Sequence, residues 1–160
     1  MPDNIVSTKS KVFAIRIVNL YKFLCDSKQE YVMSKQLLRC GTSIGANVTE
    51  AFHAISKKEF IAKLNISLKE AFETSYWLEL LKETDYIGEN QFESINADCT
   101  ELIKLLTSII KTTKKERRII ILLNNSPLNT RGEIYHRSTN FCIYKLYILL
   151  YKLNLEPLKI

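Results

Sequence analysis

Glycine and proline are scarce in this 160-residue chain, with four Gly and three Pro. A chain with so few turn formers has few places to reverse. That excludes a many-stranded β protein and favours a few long helices. Histidine is scarcer still: His53 and His136 are the only two. The four cysteines, Cys25, Cys40, Cys99 and Cys142, form no C-x-x-C and no close ligand pair. This argues against zinc and redox motifs and leaves reduced thiols, the default of the cytoplasm. A basic start followed by an apolar stretch is missing at the N-terminus, so no secretory signal is read and a cytoplasmic location is expected. The longest apolar stretch, residues 141–155, is broken by Lys145, Lys152 and Asn154. It falls short of the roughly 20 apolar residues of a membrane span, and a loosely docked or surface-active helix is expected there.

What is present is an ordinary soluble composition, 46% hydrophobic and 25% charged, with a formal net charge of +6. The length suits one domain with a full core. Composition nevertheless divides the chain near residue 118. Residues 119–160 contain no Ala, Val or Asp, a single Gly (Gly132) and two Glu (Glu133 and Glu156). These five residue types share codons beginning with G. Ile, Leu, Asn, Lys and Tyr, products of AT-rich DNA, take their place. Residues 1–118 read as the domain and residues 119–160 as a C-terminal extension, weakly structured or a short helix. A genuine tail of unusual composition is the alternative. Pro127, Gly132 and three Asn form a breaker-rich link, so the last helix of the domain is expected to stop before Pro127.

Four helices follow from periodicity. Over residues 7–25, Phe13, Ile17, Leu20 and Leu24 step by 4, 3, 4. Over residues 31–54, Leu37, Gly41, Ile44, Val48, Ala51 and Ile55 continue the same rhythm. Gly41 and Gly45 inside this helix each cost about 1 kcal/mol relative to Ala, so they predict a close neighbour. The third helix opens with the capping box Ser56-Lys57-Lys58-Glu59 and runs to about residue 84. Its seam is Phe60, Leu64, Ser67, Ala71, Thr74, Leu78 and Leu81. Trp77 lies off this seam, on a flank or at a subunit contact. The fourth, from about residue 89, carries Phe92, Ile95, Cys99, Leu102, Leu106 and Ile109. Lys111, Lys114, Lys115, Arg117 and Arg118 are expected to close it, where cations favour the negative end of the dipole. Short connections make consecutive helices antiparallel. The fold read from sequence is all-α: an antiparallel up-down-up-down four-helix bundle with a C-terminal extension.

Chemistry-bearing constellations are thin. Glu50-Ala-Phe-His53 has the Glu-x-x-His spacing of di-iron bundles, but no second copy exists, so half the ligand set is missing and no metal is expected. His53 has no orienting acid or nucleophile elbow around it. Gly-Thr-Ser-Ile-Gly at residues 41–45 sits mid-helix without the lysine of a phosphate loop, which makes it a packing site. No catalytic residue and no cofactor are assigned, and the chain is expected not to be an enzyme. Arg39 and Glu70 both border the core seams and are expected either to pair or to stand as two solvated charges. The basic groups Lys57-Lys58 and Lys111, Lys114, Lys115, Arg117 and Arg118 are either solvated helix ends or contacts for phosphate backbones.

With the segments placed, the chain resembles the four-helix bundle family encoded within 23S rRNA intervening sequences, related to the accessory proteins of diversity-generating retroelements. The resemblance is carried by residues 13–21 (FAIRIVNLY), by residues 34–51 (SKQLLRCGTSIGANVTEA), which include Arg39, Gly41, Gly45 and Asn47, by residues 56–64 (SKKEFIAKL), by Leu68-Lys69-Glu70-Ala71, by residues 74–78 and by residues 105–112. It departs at Thr49, where the family commonly has Glu, and residues beyond about Arg118 have no counterpart. The resemblance implies a bacterial cytoplasmic protein without known catalysis that assembles as a homo-oligomer, a ring-shaped homopentamer. Partners implied by one branch are RNA or DNA and a reverse transcriptase. A protein-binding scaffold with no nucleic-acid role is the alternative.

Overall fold

The structure, a computed structural model, describes residues 4–124. They form four helices, α1 (Ile5–Lys28), α2 (Met33–Phe52), α3 (Lys57–Glu83) and α4 (Glu89–Asn124), and no strand lies among the described residues. The chain divides into two units after Arg118. The short helix expected within residues 140–153 lies outside the described residues.

The helices begin and end for local reasons. Asn4 caps α1, its side chain accepting the Val6 N–H at 3.2 Å. Ser56 caps α3 through the Glu59 N–H at 3.1 Å, and the Glu59 carboxylate returns to the Ile55 N–H at 3.1 Å, completing the capping box. α1 and α3 both end at a residue in the left-handed region, Gln29 (φ 51°) and Asp85 (φ 60°). The following N–H groups turn back: Glu30 donates to the Leu24 carbonyl at 3.0 Å and Tyr86 to the Leu81 carbonyl at 2.9 Å. α2 starts differently. The Glu30 carboxylate accepts the N–H groups of Val32 (2.9 Å), Met33 (2.8 Å) and Ser34 (2.6 Å), three of the donors that a helix start leaves unpaired.

Cross-helix contacts run in opposite order along each neighbouring pair. Between α1 and α2, Ile17 lies against Gly41 and Ser10 against Gly45. Between α2 and α3, Arg39 reaches Glu70 and Glu73, the Ile44 carbonyl accepts from Ser67, and Glu50 pairs with Lys63. Between α3 and α4, Lys57 meets Glu116, the Ala71 carbonyl accepts from Cys99, and Lys82 meets Glu89. α4 returns to α1 through Glu101–Lys9 and Asp98–Arg16. Each step is antiparallel, so α1 and α3 occupy opposite corners of an up-down-up-down bundle.

The interior follows the expected seams closely. Phe13, Ile17 and Leu24 of α1, Leu37 to Ala51 of α2, and all seven predicted α3 positions are buried. Fully burying one such Leu or Ile contributes about 1.5–3 kcal/mol. The small middle of α3 works as expected: Ser67 bonds to the α2 backbone at 3.0 Å, and Ala71 lets the Cys99 thiol reach its carbonyl at 3.3 Å. A Cβ on Gly41 would meet Ile17 side-chain carbons at 2.8–2.9 Å, whereas one on Gly45 would meet the Ser10 backbone at an ordinary 3.5 Å. Gly41 is therefore required by packing and Gly45 is only accommodated. Trp77 is partly buried on the core flank, edge-on to Tyr76 at 5.1 Å.

Three expectations are corrected. Ile55 is no seam residue: α2 ends at Phe52, the chain turns over His53–Ser56, and Ile55 is 96% exposed. At the far end of α4 Ile110 is buried in place of Ile109, a one-residue shift in the direction that 3.6 residues per turn drifts from a seven-residue repeat, while Thr113, seven residues after Leu106, keeps the repeat. Lys111, Lys114, Lys115, Arg117 and Arg118 do not close α4, which continues to Asn124 with no basic residue in its last turn. Neither Gly nor Pro occurs between Gly88 and Pro127. A dipole preference of about 0.3–1 kcal/mol places charges but stops no helix.

Candidate nucleic-acid interface

The antiparallel arrangement brings the start of α3 beside the basic half of α4. Its link is Lys57, whose ammonium lies 2.9 Å from the Glu116 carboxylate, both side chains being about one-quarter exposed. Lys57 thus ties α3 to α4. Lys58, Lys111, Lys114 and Lys115 are exposed, and among the described residues none of them forms an ion pair. Lys111 and Lys115 are four residues apart and so share a face. Arg117 and Arg118 continue the same helix.

One cation was missed by sequence reasoning. Lys104, exposed and seven residues before Lys111, extends the Lys111–Lys115 face. Its spacing of 7 from Lys111 and 11 from Lys115 was the available signal. Lys104 to Lys115 spans about 16 Å along the helix at 1.5 Å per residue. The charge along α3 and α4 is polarised. Residues 79–101 hold seven acidic residues and one lysine, whereas residues 102–118 hold six basic residues and one glutamate. Because α3 and α4 are antiparallel, one end of the bundle is acidic, at Glu83, Asp85, Glu89 and Glu93, and the other basic.

The remaining candidates have structural partners. Arg39 is 57% exposed. It pairs closely with Glu73 and sits 3.9 Å from Glu70, whose side chain is 17% exposed. Glu70 Oε2 is buried without a hydrogen bond, so the Arg39 charge is what compensates it. The expected Arg39–Glu70 contact exists, but Glu73 shares it. Asn47 donates to the Ser43 carbonyl at 2.9 Å and to its hydroxyl at 3.0 Å, within α2. Glu50 is paired with Lys63, and His53 Nδ1 lies 2.8 Å from the Thr49 carbonyl, so the Glu-x-x-His pair is engaged locally. No cluster of three metal-ligating side chains occurs among the described residues. Burial pushes the Cys99 thiol up to about 12, with the neighbouring Cys40 and Asp98 adding to it, and burial likewise raises Cys40. Neither sulfur is a nucleophile at neutral pH. No described helix is long and apolar enough to cross a membrane.

Comparison with known proteins agrees with this architecture. The model of the 23S rRNA-intervening sequence protein family matches residues 2–108. The chain belongs to that family. A crystal structure of a protein of unknown function from the S23 ribosomal protein family of Bacteroides thetaiotaomicron VPI-5482 is 65% identical, covering 66% of this chain and 98% of that one, with a TM-score of 0.66. None of the curated proteins matches. In this intervening-sequence protein Lys57, Lys58 and Lys104 lie within the matched segment, whereas Lys111 to Arg118 follow it.

Proposed function

We propose that this intervening-sequence protein is a non-catalytic, oligomeric accessory protein of the cytoplasm that interacts with RNA or another nucleic acid through the basic end of its bundle. The observation that carries the reading is the gathering of two sequence-distant basic groups. Lys57 meets Glu116 on the stretch of α4 that carries Lys111, Lys114 and Lys115, and among the described residues Lys58, Lys104, Lys111, Lys114 and Lys115 form no ion pair. A row of cations along one helix suits a linear polyanion, whose binding is driven by counterion release. The Bacteroides relative is a member of the S23 ribosomal protein family, which favours RNA as the first target to try.

Assembly is supported by the outer faces of the odd-numbered helices. α1 exposes Ile5, Val12 and Ile15, and α3 exposes Ile66, Phe72 and Tyr76. These two different patches sit at opposite corners. A contact between unlike patches of successive copies is heterologous and gives a ring where the rotation between copies closes, the arrangement of the pentamer that the family resemblance implies. The same faces favour the second reading, a protein-binding scaffold with a protein such as a reverse transcriptase as partner.

The test is an RNA shift assay across salt concentrations, with light scattering for assembly. The salt slope should be steep. It should flatten by about 0.7–0.9 per contact when Lys111, Lys114, Lys115, Arg117 and Arg118 are neutralised. An absence of RNA and DNA binding at low salt leaves the scaffold reading, and a stable monomer at micromolar concentration removes the oligomer.

A further inference from the structure

α4 carries one line of side chains that the bundle does not use. Lys104, Ser108, Lys111 and Lys115 are all exposed and step by 4, 3, 4, the spacing that keeps residues on one face of a helix. The buried stripe of the same stretch, Leu102, Leu106, Ile110 and Thr113, faces the other way. The charge along the line has one sign. Between residues 102 and 118 the only acid is Glu116, and Lys57 holds it at 2.9 Å. Glu101, just before the line begins, is taken by Lys9 of α1 at 2.7 Å.

Ser108 is the odd member of the line. Among the described residues its hydroxyl has no hydrogen-bond partner, whereas Thr113 on the same helix donates back to the Ile109 carbonyl at 2.8 Å. A hydroxyl without an internal bond is a neutral donor open to an anion. The spacing says which anion. Residues three and four apart on a helix have Cβ atoms about 5–6 Å apart. The six backbone bonds of a nucleotide hold successive phosphates of a charged strand at about 6–7 Å, nearly the same repeat. An anionic membrane fits less well. A helix lying on a membrane carries large apolar groups beside its cations, and among the described residues none of the exposed large apolar side chains is on α4.

We propose that Lys104, Ser108, Lys111 and Lys115 form a phosphate track: each takes one of four successive phosphates of an unpaired nucleic-acid strand laid along α4, with Ser108 the neutral donor in second place. This rests on the reading of the basic end as a nucleic-acid interface, and it names the substrate class and a further binding residue. An unpaired strand is specified because it can straighten along the line, which is about 16 Å long. A duplex winds its backbone away from a straight row. The contacts go to phosphates and not to bases or sugars, so the track treats RNA and DNA alike and reads no sequence.

The test uses the full chain, titrated by fluorescence anisotropy across salt concentrations against labelled oligouridine, oligothymidine of the same length, an RNA duplex and phosphatidylserine-containing vesicles. Ser108 is exposed, so Ser108→Ala and Ser108→Lys should keep the wild-type melting temperature. Ser108→Ala should weaken binding of both single strands by about fivefold, the scale of one hydrogen bond. Its salt slope should be unchanged, because a neutral donor displaces no counterion. Ser108→Lys should tighten binding and steepen the slope by about 0.7, the share of one added phosphate contact on a single strand. Asn90→Lys adds the same charge on the same helix about 21 Å before Lys104, beyond the screening length, and should leave the slope as it is. If Ser108→Ala binds like wild type and Ser108→Lys is no steeper than Asn90→Lys, while Lys111→Gln flattens the slope, the phosphate track falls and the basic interface stands. An equal loss for Ser108→Ala on the duplex overturns the assignment to an unpaired strand. A loss on only one of the two single strands overturns recognition through phosphates alone. Vesicles bound through Lys104 and Lys111, with neither strand bound, overturn the nucleic acid in favour of a membrane surface. If the wild type binds no strand at low salt, both readings fall together.

Discussion

The two ends of the bundle each place an isoleucine in a turn, and they treat it in opposite ways. Ile87, in the turn between α3 and α4, is 3% exposed, whereas Ile55, between α2 and α3, is 96% exposed. The Ile87 end is also where Gln29 and Asp85 take up left-handed conformations and where Glu30 is buried against three N–H groups. Strain and desolvation are tolerated there because each is compensated by hydrogen bonds. The Ile55 end has the simplest of turns, a capping box, with Glu59 bonded to the Ile55 N–H and Lys57 and Lys58 opening the next helix. One end is built for packing and the other is left open at its surface.

The largest test of this contrast is a charge in each turn. Ile87→Asp places an unpaired carboxylate in the core and should cost about 3–5 kcal/mol. The same change at Ile55 should stay within about 0.5 kcal/mol. Urea unfolding of the two variants reads the difference directly, and similar losses would erase the distinction between the ends. Next comes the glycine pair on α2. Gly41→Ala forces a methyl against Ile17 and should destabilise by about 1–3 kcal/mol. Gly45→Ala, nearer the basic end, meets only ordinary contacts.

Glu30 sharpens the comparison through pH. Burial by itself pushes its carboxyl up, but the N–H groups of Met33, Ser34 and Val32 and the Ser34 side chain outweigh burial and hold it below the ordinary glutamate range. A carboxyl depressed in the folded state adds stability that is fully present above its unfolded value. That stability is lost as pH falls through the lower, folded one. Melting temperature should therefore drop on acidification below the ordinary glutamate range. Glu30→Ala should lower it by the equivalent of about 1–2 kcal/mol at neutral pH and blunt the acid dependence. An unchanged acid limb would remove Glu30 from this role. The smallest expected effect on stability, after Ile55 itself, is Gly45→Ala, which should raise stability by up to about 1 kcal/mol through helix propensity.

Much of the fold was legible in the residue pattern, and the reason is visible in α3. Its capping box and its seam of alternating 3 and 4 steps were sufficient because both are local: a helix start depends on four consecutive residues and a buried stripe on one helix's own period. The site was less legible. Lys57 and Lys58 could be named from sequence, as could Lys111 to Arg118. Lys104 escaped because it stands alone in the chain and joins the row only on the helical surface. Glu30 escaped because a carboxylate three residues before a helix reads as an ordinary loop charge until its backbone partners are seen. Ile55 was misassigned because its spacing from Ala51 continued the stripe of α2, while the chain had already turned at His53.

The sequence by itself determined four helices, the cap of the third, their order and most of their inward faces, since each is set by interactions within a turn or two of chain. Three things were decided only by tertiary structure. Lys57 meets Glu116, which gathers the basic groups at one end. Phe52 takes the place on Phe60 that the local motif offered to Ile55. Gly41 but not Gly45 is held by a neighbour, through Ile17. In each case the deciding partner lies on another helix, and a periodicity within one helix carries no information about which residue of the next will come to rest against it.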